Sequence, residues 1–321
     1  MARPIKTNVG VIGLGIIGSR VAANLRKAGF QVWVWNRSPR TEPNFLSSPL
    51  EVAESAQIIQ IFVSDGAALI ETVSAMSGAL GPNHIIVNHA TVSPSETREA
   101  ARMAADRHSR FLDAPFTGSR DVAQKGELVF MIGGDKEALE ICRPVLEVNA
   151  KSILPVGGIG DATALKIATN LIAAVNVAAL GEALALLHRN GIPLQSLCEI
   201  LPLHAANSGL AQMKVPAMIS DDFDPRFALK HMFKDVQIAL RMGQEAGIEL
   251  PAAGAFAGAA MSGIQQGWAD HDFSVIARHY NFPDRDAPLD ASFRPTPPAE
   301  PEAAGEAPTT PSRRWKLFGS K

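Results

Sequence analysis

Lys166 stands in a stretch, GGIGDATALKIATN (157–170), whose other residues suit a buried helix. Ala162, Leu165, Ile167, Ala168, Leu171 and Ile172 surround it, and Asn170 follows four residues on, on the same helical face. An ammonium is almost never fully buried without a partner, because the charged form loses its hydration. On the helical pattern alone, a lysine snorkelling out of an apolar surface fits as well as one aimed into a site. A second chemical signature lies near the N-terminus. GVIGLGIIGSR holds Gly13, Gly15 and Gly18 in G-x-G-x-x-G spacing, with Leu14, Ile16 and Ile17 between them. The motif follows an apolar run and opens a helical pattern, the context in which it binds a dinucleotide. Gly13 permits the tight turn, Gly15 lets the backbone approach a pyrophosphate, and Gly18 allows helix and strand to pack closely. The first N–H groups of the helix and its positive dipole end then face the phosphates.

The next apolar run bears on which nucleotide binds. An NAD-binding unit usually carries Asp or Glu about 20 residues past the glycines, on the ribose hydroxyls. Here VWVWNRSPR puts Asn36, Arg37 and Ser38 at that point. Asn36 removes the repulsion a carboxylate would exert on a 2′-phosphate. Arg37 can pair with that phosphate and stack on adenine, Ser38 adds a hydrogen bond, and Arg40 is a second candidate cation. NADP(H) is therefore expected in preference to NAD(H). In FVSDG and HATVSP, Val63, Ser64 and Thr91 are placed to border the nicotinamide half, since ligands of an open parallel sheet lie at the carboxyl ends of its strands. Asp65, and Ser93 or Ser95, read rather as helix caps.

These residues need a scaffold, and the chain supplies its pattern. Val- and Ile-rich runs at 8–13, 31–35, 58–63, 84–88, 110–114, 128–133 and 152–156 read as strands, with helical patterns such as 19–29 and 95–108 between them. Such alternation predicts βαβ units and a doubly wound, mostly parallel α/β sheet of Rossmann type over residues 1–160. From Asp161 to about Arg189 an Ala- and Leu-rich stretch without proline predicts one helix of about 40 Å joining two domains. It is apolar on most of its circumference, so burial between domains or subunits is expected. Helical patterns at 194–205, 226–246 and 250–267, with no convincing strand, make 161–283 an all-α domain for substrate and oligomerisation. Residues 284–321 are rich in Pro, Ala and Glu and end in the basic RRWKLFGSK; a disordered, solvated tail is expected.

Bulk properties exclude several roles. A formal net charge of −2 argues against a general nucleic-acid surface. Cys142 and Cys198 match no metal-ligand spacing, and none of the eight histidines falls in H-x-x-x-H or H-E-x-x-H spacing, so no metal is expected. No stretch of about 18 apolar residues lacks polar interruption, and MARPIKTNVGVIGLG runs into a strand without a signal core, so no membrane insertion and a cytoplasmic location are expected. The apolar central helix predicts a homodimer or homotetramer.

Four segments in order resemble one family. GLGIIG, DAPFTGS (113–119), GIGDATALKIATN (158–170) and FKDVQIALRMGQEAGIELP (233–251) look like a β-hydroxyacid dehydrogenase of the 3-hydroxyisobutyrate dehydrogenase type, over about residues 8–280. With WNRS as the adenine-side loop, the resemblance is to the NADPH-dependent glyoxylate and succinic semialdehyde reductases. It implies that Lys166 is the catalytic lysine, accompanied by Asn170, and that the substrate carboxylate is held at Thr117, Gly118 and Ser119. It also implies that Lys234 reaches from the helical domain to the cofactor and substrate. The family's usual loop is D-A-P-V-S-G-G. Thr117 keeps a hydroxyl there, Ser119 replaces a glycine, and the bulkier Phe116 is expected to narrow the pocket; Ala90 stands where serine is common. An ammonium near the carbonyl stabilises the negative charge that develops as hydride arrives, then transfers its proton. Asn170 can orient the lysine or the substrate. For Lys230 a solvated helix lysine, for Asp235 a structural ion pair and for His89 a structural place are the expectations. The implied activity is reduction of a small aldehyde- or keto-acid, or oxidation of a β-hydroxyacid. Two rivals are an imine reductase, which generally lacks this lysine, and a non-catalytic NADP-binding sensor or scaffold.

Overall fold

The central strands of the sheet are covered on both faces and so read as near-continuous apolar runs, interrupted by Gln60 and Asn88. The chain is described by a computed structural model covering residues 8–280; the tail expected over 284–321 lies outside them. β1 (Val9–Ile12), β3 (Ile58–Ile61) and β4 (Ile85–Asn88) are buried at every position, whereas β2 (Val32–Trp35) alternates at the edge. With β5 (Arg110–Asp113) they form a parallel sheet ordered β2-β1-β3-β4-β5. The chain winds outward from β1 to β2, then crosses to β3 on the other side. That reversal opens a crevice at the carboxyl ends of β1 and β3.

Beyond β5 the sheet continues with two strands in the opposite sense. β7 (Leu128–Gly134) pairs antiparallel with β5 and with the two-residue β6 (Phe116–Thr117), and β8 (Ala150–Gly157) runs parallel to β7. No apolar run announces β6, which lies inside the DAPFTGS loop. The helices of this part are α1 (Gly18–Lys27), α2 (Pro49–Ser55), α3 (Gly66–Met76), α4 (Pro94–Ala105), α5 (Arg120–Lys125) and α6 (Lys136–Leu146). Asp65 caps α3 by accepting from Ala68 N–H at 2.9 Å. Ser93 caps α4 and forms a reciprocal box with Glu96.

α7 (Asp161–Arg189) has the expected limits, and its 29 residues span about 43 Å. One chain covers only part of its surface. Within one chain it buries a single stripe, Thr163, Ile167, Asn170, Ala174, Val177, Gly181 and Leu184, spaced alternately four and three residues apart. Leu165, Ile172 and Leu186 on the remaining surface are exposed. By length and composition α7 is long and apolar enough to cross a bilayer; its buried stripe packs on a core of helices around it. Those are α8 (Gln195–Ile200), α9 (Gly209–Ile219), α10 (Leu229–Glu245), α11 (Pro251–Gln265) and a 3-10 segment Phe273–Tyr280. α9 is unannounced in the sequence because it opens on a glycine, contains Pro216 and lacks amphipathic spacing. Its Lys214 makes a buried ion pair with Asp272 at 2.7 Å, and Asp272 also accepts from Arg226 N–H, Phe227 N–H and the Ser274 hydroxyl. Those bonds offset the desolvation of both charges.

Candidate active site

The glycine turn follows β1 at the crevice. Gly13 has φ +93°, and a Cβ there would lie 2.1 Å from the Phe62 carbonyl oxygen; at Gly18 it would lie 2.0 Å from the Gly13 oxygen. At Gly15 it would meet nothing within 4 Å, so that backbone faces open space. No side chain caps the first turn of α1, because Ile17 precedes it. An open backbone face beside an uncapped helix start fits a pyrophosphate. Leu14 is buried and Ile16 exposed, so the motif's apolar positions divide between core and crevice.

Asn36 has a firmer task than the one expected of it. Its Oδ1 accepts from Leu14 N–H at 2.9 Å and its Nδ2 donates to the Ser38 carbonyl at 2.8 Å. It braces the glycine turn against the loop after β2, while Arg37, Ser38 and Arg40 are exposed at the rim. Across the crevice, the exposed Ser64 donates from Oγ to Asp65 at 2.6 Å. That bond, the Ala68 N–H and the nearby Lys234 and Arg37 cations hold the Asp65 carboxyl below the usual range.

The helical part reaches the sheet through α10. Lys234 donates to the carbonyl oxygen of Thr91, past β4, and pairs with Asp235 at 3.1 Å. Asp235 is buried and accepts from Asn170 Nδ2 at 2.6 Å. Through that bond Asn170 fixes the anion that faces both lysines. Lys166 is half-buried; burial pushes its ammonium below the usual lysine range, and the Asp235 carboxylate opposes the shift. Lys230 pairs with Asp270 at the surface, 2.5 Å away, as its solvated reading anticipates.

The loop after β5 starts from Asp113, which is fully buried. Its Oδ2 accepts from Gly160 N–H at 3.0 Å and Thr163 N–H at 2.9 Å, and its Oδ1 accepts from the Thr163 hydroxyl at 2.6 Å. The sheet therefore caps α7, whose own N-cap, Gly160, has no side chain to do so. The signal for this was a carboxylate placed directly after the apolar RFL run. Desolvation raises the Asp113 pKa against those hydrogen bonds. In β6 the strand alternation turns Thr117 outward and Phe116 inward, onto Phe62 and Phe130 at 6.1 and 6.3 Å. Phe116 is partly buried and packs against the core of the sheet. Gly118, at φ +144°, leaves no room for a side chain beside Leu128 and Val122, and the Ser119 hydroxyl makes no cap bond to α5.

His89 is buried and holds a structural place, with Nδ1 2.7 Å from the Ala114 oxygen and Nε2 2.9 Å from the Gln60 side chain. Burial pushes its pKa down to about 4. The neutral ring donates from Nδ1 and accepts at Nε2, which requires the Gln60 amide to present its NH2 there. A histidine with its folded pKa below the unfolded value makes the unfolded state bind more protons. Stability is then expected to fall as pH drops from 6.5 toward about 4, by about 3 kcal/mol from this group. Urea midpoints measured across that window in the wild type and in His89→Phe check it; equal slopes would refute it.

Comparison with known proteins agrees with this arrangement. Residues 8–158 match the NAD binding domain of 6-phosphogluconate dehydrogenase, and residues 160–280 match the NAD-binding domain of NADP-dependent 3-hydroxyisobutyrate dehydrogenase. Glyoxylate/succinic semialdehyde reductase 1 of Arabidopsis thaliana is 30% identical over 286 residues, covering 85% of this chain and 98% of that protein. The cytokine-like nuclear factor N-PAC of Mus musculus is also 30% identical, over 86% of this chain and 52% of its own length. A solved structure of 3-hydroxyisobutyrate dehydrogenase from Mycobacterium tuberculosis with L-serine superposes with a TM-score of 0.80 at 27% identity, covering 87% of this chain and all of that one. The glycine turn at the sheet's switch point, the helical layer behind it and these matches place the chain in the 3-hydroxyisobutyrate dehydrogenase-type family of NAD(P)-dependent β-hydroxyacid dehydrogenases and reductases.

Proposed function

We propose that the chain is an NADPH-dependent reductase of small aldehyde- or keto-acids of the glyoxylate or succinic semialdehyde kind. The observation that carries the proposal is Lys166, an ammonium lowered by burial on the helix behind the sheet, with Asp235 held near it by Asn170 and Lys234. NADPH is held by the turn Gly13–Gly18 and by Arg37 and Ser38, with Val63, Ser64, Thr91 and Lys234 bordering its nicotinamide end; when bound it supplies the hydride. Thr117, Gly118 and Ser119 offer short donors to the substrate carboxylate. Lys166 donates to the carbonyl oxygen, stabilises the charge developing there and passes its proton to it, acting as general acid in reduction and general base in oxidation. Asp235 keeps the lysine from losing its proton too readily.

Purified protein is expected to oxidise NADPH with glyoxylate, succinic semialdehyde or another carbonyl acid in a panel of β-keto acids. Turnover confined to cyclic imines would favour an imine reductase, and NADPH binding without turnover would favour a sensor or scaffold. The exposed apolar side of α7 is proposed to pair copies of the chain, so light scattering on the same preparation is expected to give a dimer or tetramer; a monomer refutes that pairing.

A further inference from the structure

Beneath the cleft lies a seam of rings drawn from different elements. Phe62, just past β3, stacks on His89, just past β4, with centroids 4.4 Å apart and planes within 16°. Phe130 of β7 lies 5.2 Å from His89, and Phe116 of β6 lies 6.4 Å from it. One end of the seam adjoins the glycine turn: a Cβ at Gly13 would strike the backbone carbonyl of Phe62, and one at Gly18 would lie 3.2 Å from the Phe62 Cβ. The other end touches the substrate loop, where His89 Nδ1–H donates to the carbonyl oxygen of Ala114 at 2.7 Å, three residues before Thr117. Phenylalanine would satisfy the stacking, yet the chain has a histidine. The difference is two buried polar groups, the Ala114 carbonyl and the Gln60 amide, which need partners that an aromatic hydrocarbon lacks.

We infer that His89 is a positioning residue that couples the dinucleotide turn to the substrate loop, bearing on Phe62 beneath Gly13 and Gly18 while its Nδ1–H fixes Ala114 at the root of Phe116–Ser119. The inference rests on the proposed reductase site. Seating the dinucleotide on the turn presses on Phe62, and the imidazole carries that restraint to the loop, so the carboxylate site is firmer once cofactor is bound. His89 touches neither ligand.

Two substitutions separate its two contacts. His89→Phe keeps the stack and removes both hydrogen bonds; His89→Asn keeps a donor near the Nδ1 position and removes the stack. In the full chain, amide hydrogen exchange over 113–119 is expected to slow on addition of NADPH. In His89→Phe it is expected not to respond, although NADPH still quenches intrinsic fluorescence with wild-type affinity. In kinetics, His89→Phe is expected to raise the KM for glyoxylate, or for the best carbonyl acid of the panel, about tenfold, with the KM for NADPH within about twofold. His89→Asn is expected to restore part of the acid KM. Equal NADPH protection of 113–119 in wild type and His89→Phe overturns the coupling, as does a common rise in both Michaelis constants. Should His89→Phe fail to fold, His89→Asn decides: it supports the coupling if NADPH still protects the loop but less than in wild type, and overturns it if protection is unchanged. A wild-type chain that reduces no carbonyl acid but shows NADPH-dependent protection abolished in His89→Phe refutes the reductase reading and upholds the coupling.

Discussion

Lys166→Ala is expected to lower turnover about a thousandfold, equivalent to about 4 kcal/mol of transition-state stabilisation, with NADPH affinity within about twofold of wild type. The size follows from the proposed role. Alanine removes the only group assigned both to the developing oxyanion and to the proton it takes up, and a general acid alone typically contributes two to four orders of magnitude. The split between turnover and affinity follows from position, because Lys166 lies on α7 and not on the glycine turn or the β2 loop. Steady-state kinetics with fluorescence titration of NADPH checks both parts, and an active alanine variant refutes the role. The wild-type pH profile has a fixed sign. Reduction needs the protonated lysine, so its rate is expected to fall as pH rises through a pKa below the usual lysine range. Oxidation needs the free amine and is expected to rise over the same interval.

Arg37→Ala is expected to raise the KM for NADPH about thirtyfold and leave that for NADH nearly unchanged. Arg37 is exposed at the crevice rim, where a charge-assisted bond to a 2′-phosphate adds about 2 kcal/mol and nothing comparable exists for a ribose hydroxyl. Arg37→Asp is expected to go further and invert the preference, since the carboxylate repels the phosphate and accepts from the ribose. Because the site is open to solvent, the wild-type preference should also shrink with salt. Parallel measurement of both cofactors at low and high ionic strength checks this; a wild-type preference for NADH would sink the assignment.

The local framework of the candidate site is legible in the sequence. The glycine spacing, the β2 loop and the limits of α7 rest on local rules, namely steric room at glycine, residue type at a strand end and helical periodicity. Asp65 and Ser93 follow the same local capping logic. Non-local partners were not legible. Asn170 and Asp235 are 65 positions apart, as His89 and Gln60 are 29 apart, and nothing in either neighbourhood names the other. The inward turn of Phe116 depends on a two-residue strand that exists only because β7 lies alongside it. How the surface of α7 divides is illegible for a related reason: composition shows that a helix is apolar all round, but not how much of that surface one chain covers.

The cap that Asp113 places on α7 also decides how the two parts can move. Three hydrogen bonds tie Gly160 and Thr163 to the sheet, so the first turn of the helix belongs mechanically to the cofactor layer. A swing of the helical layer that breaks the Lys234–Thr91 bond but keeps this cap pivots close to Thr163. Lys166 stands only about 4.5 Å along the axis from that pivot, and Arg189 about 39 Å. A rotation of roughly 10° would carry Arg189 about 7 Å but shift the Lys166 backbone by less than about 1 Å. The helix acts as a lever with Lys166 near its fulcrum: a swing that moves the far end of α7 by several ångströms leaves the lysine in register with the strand ends.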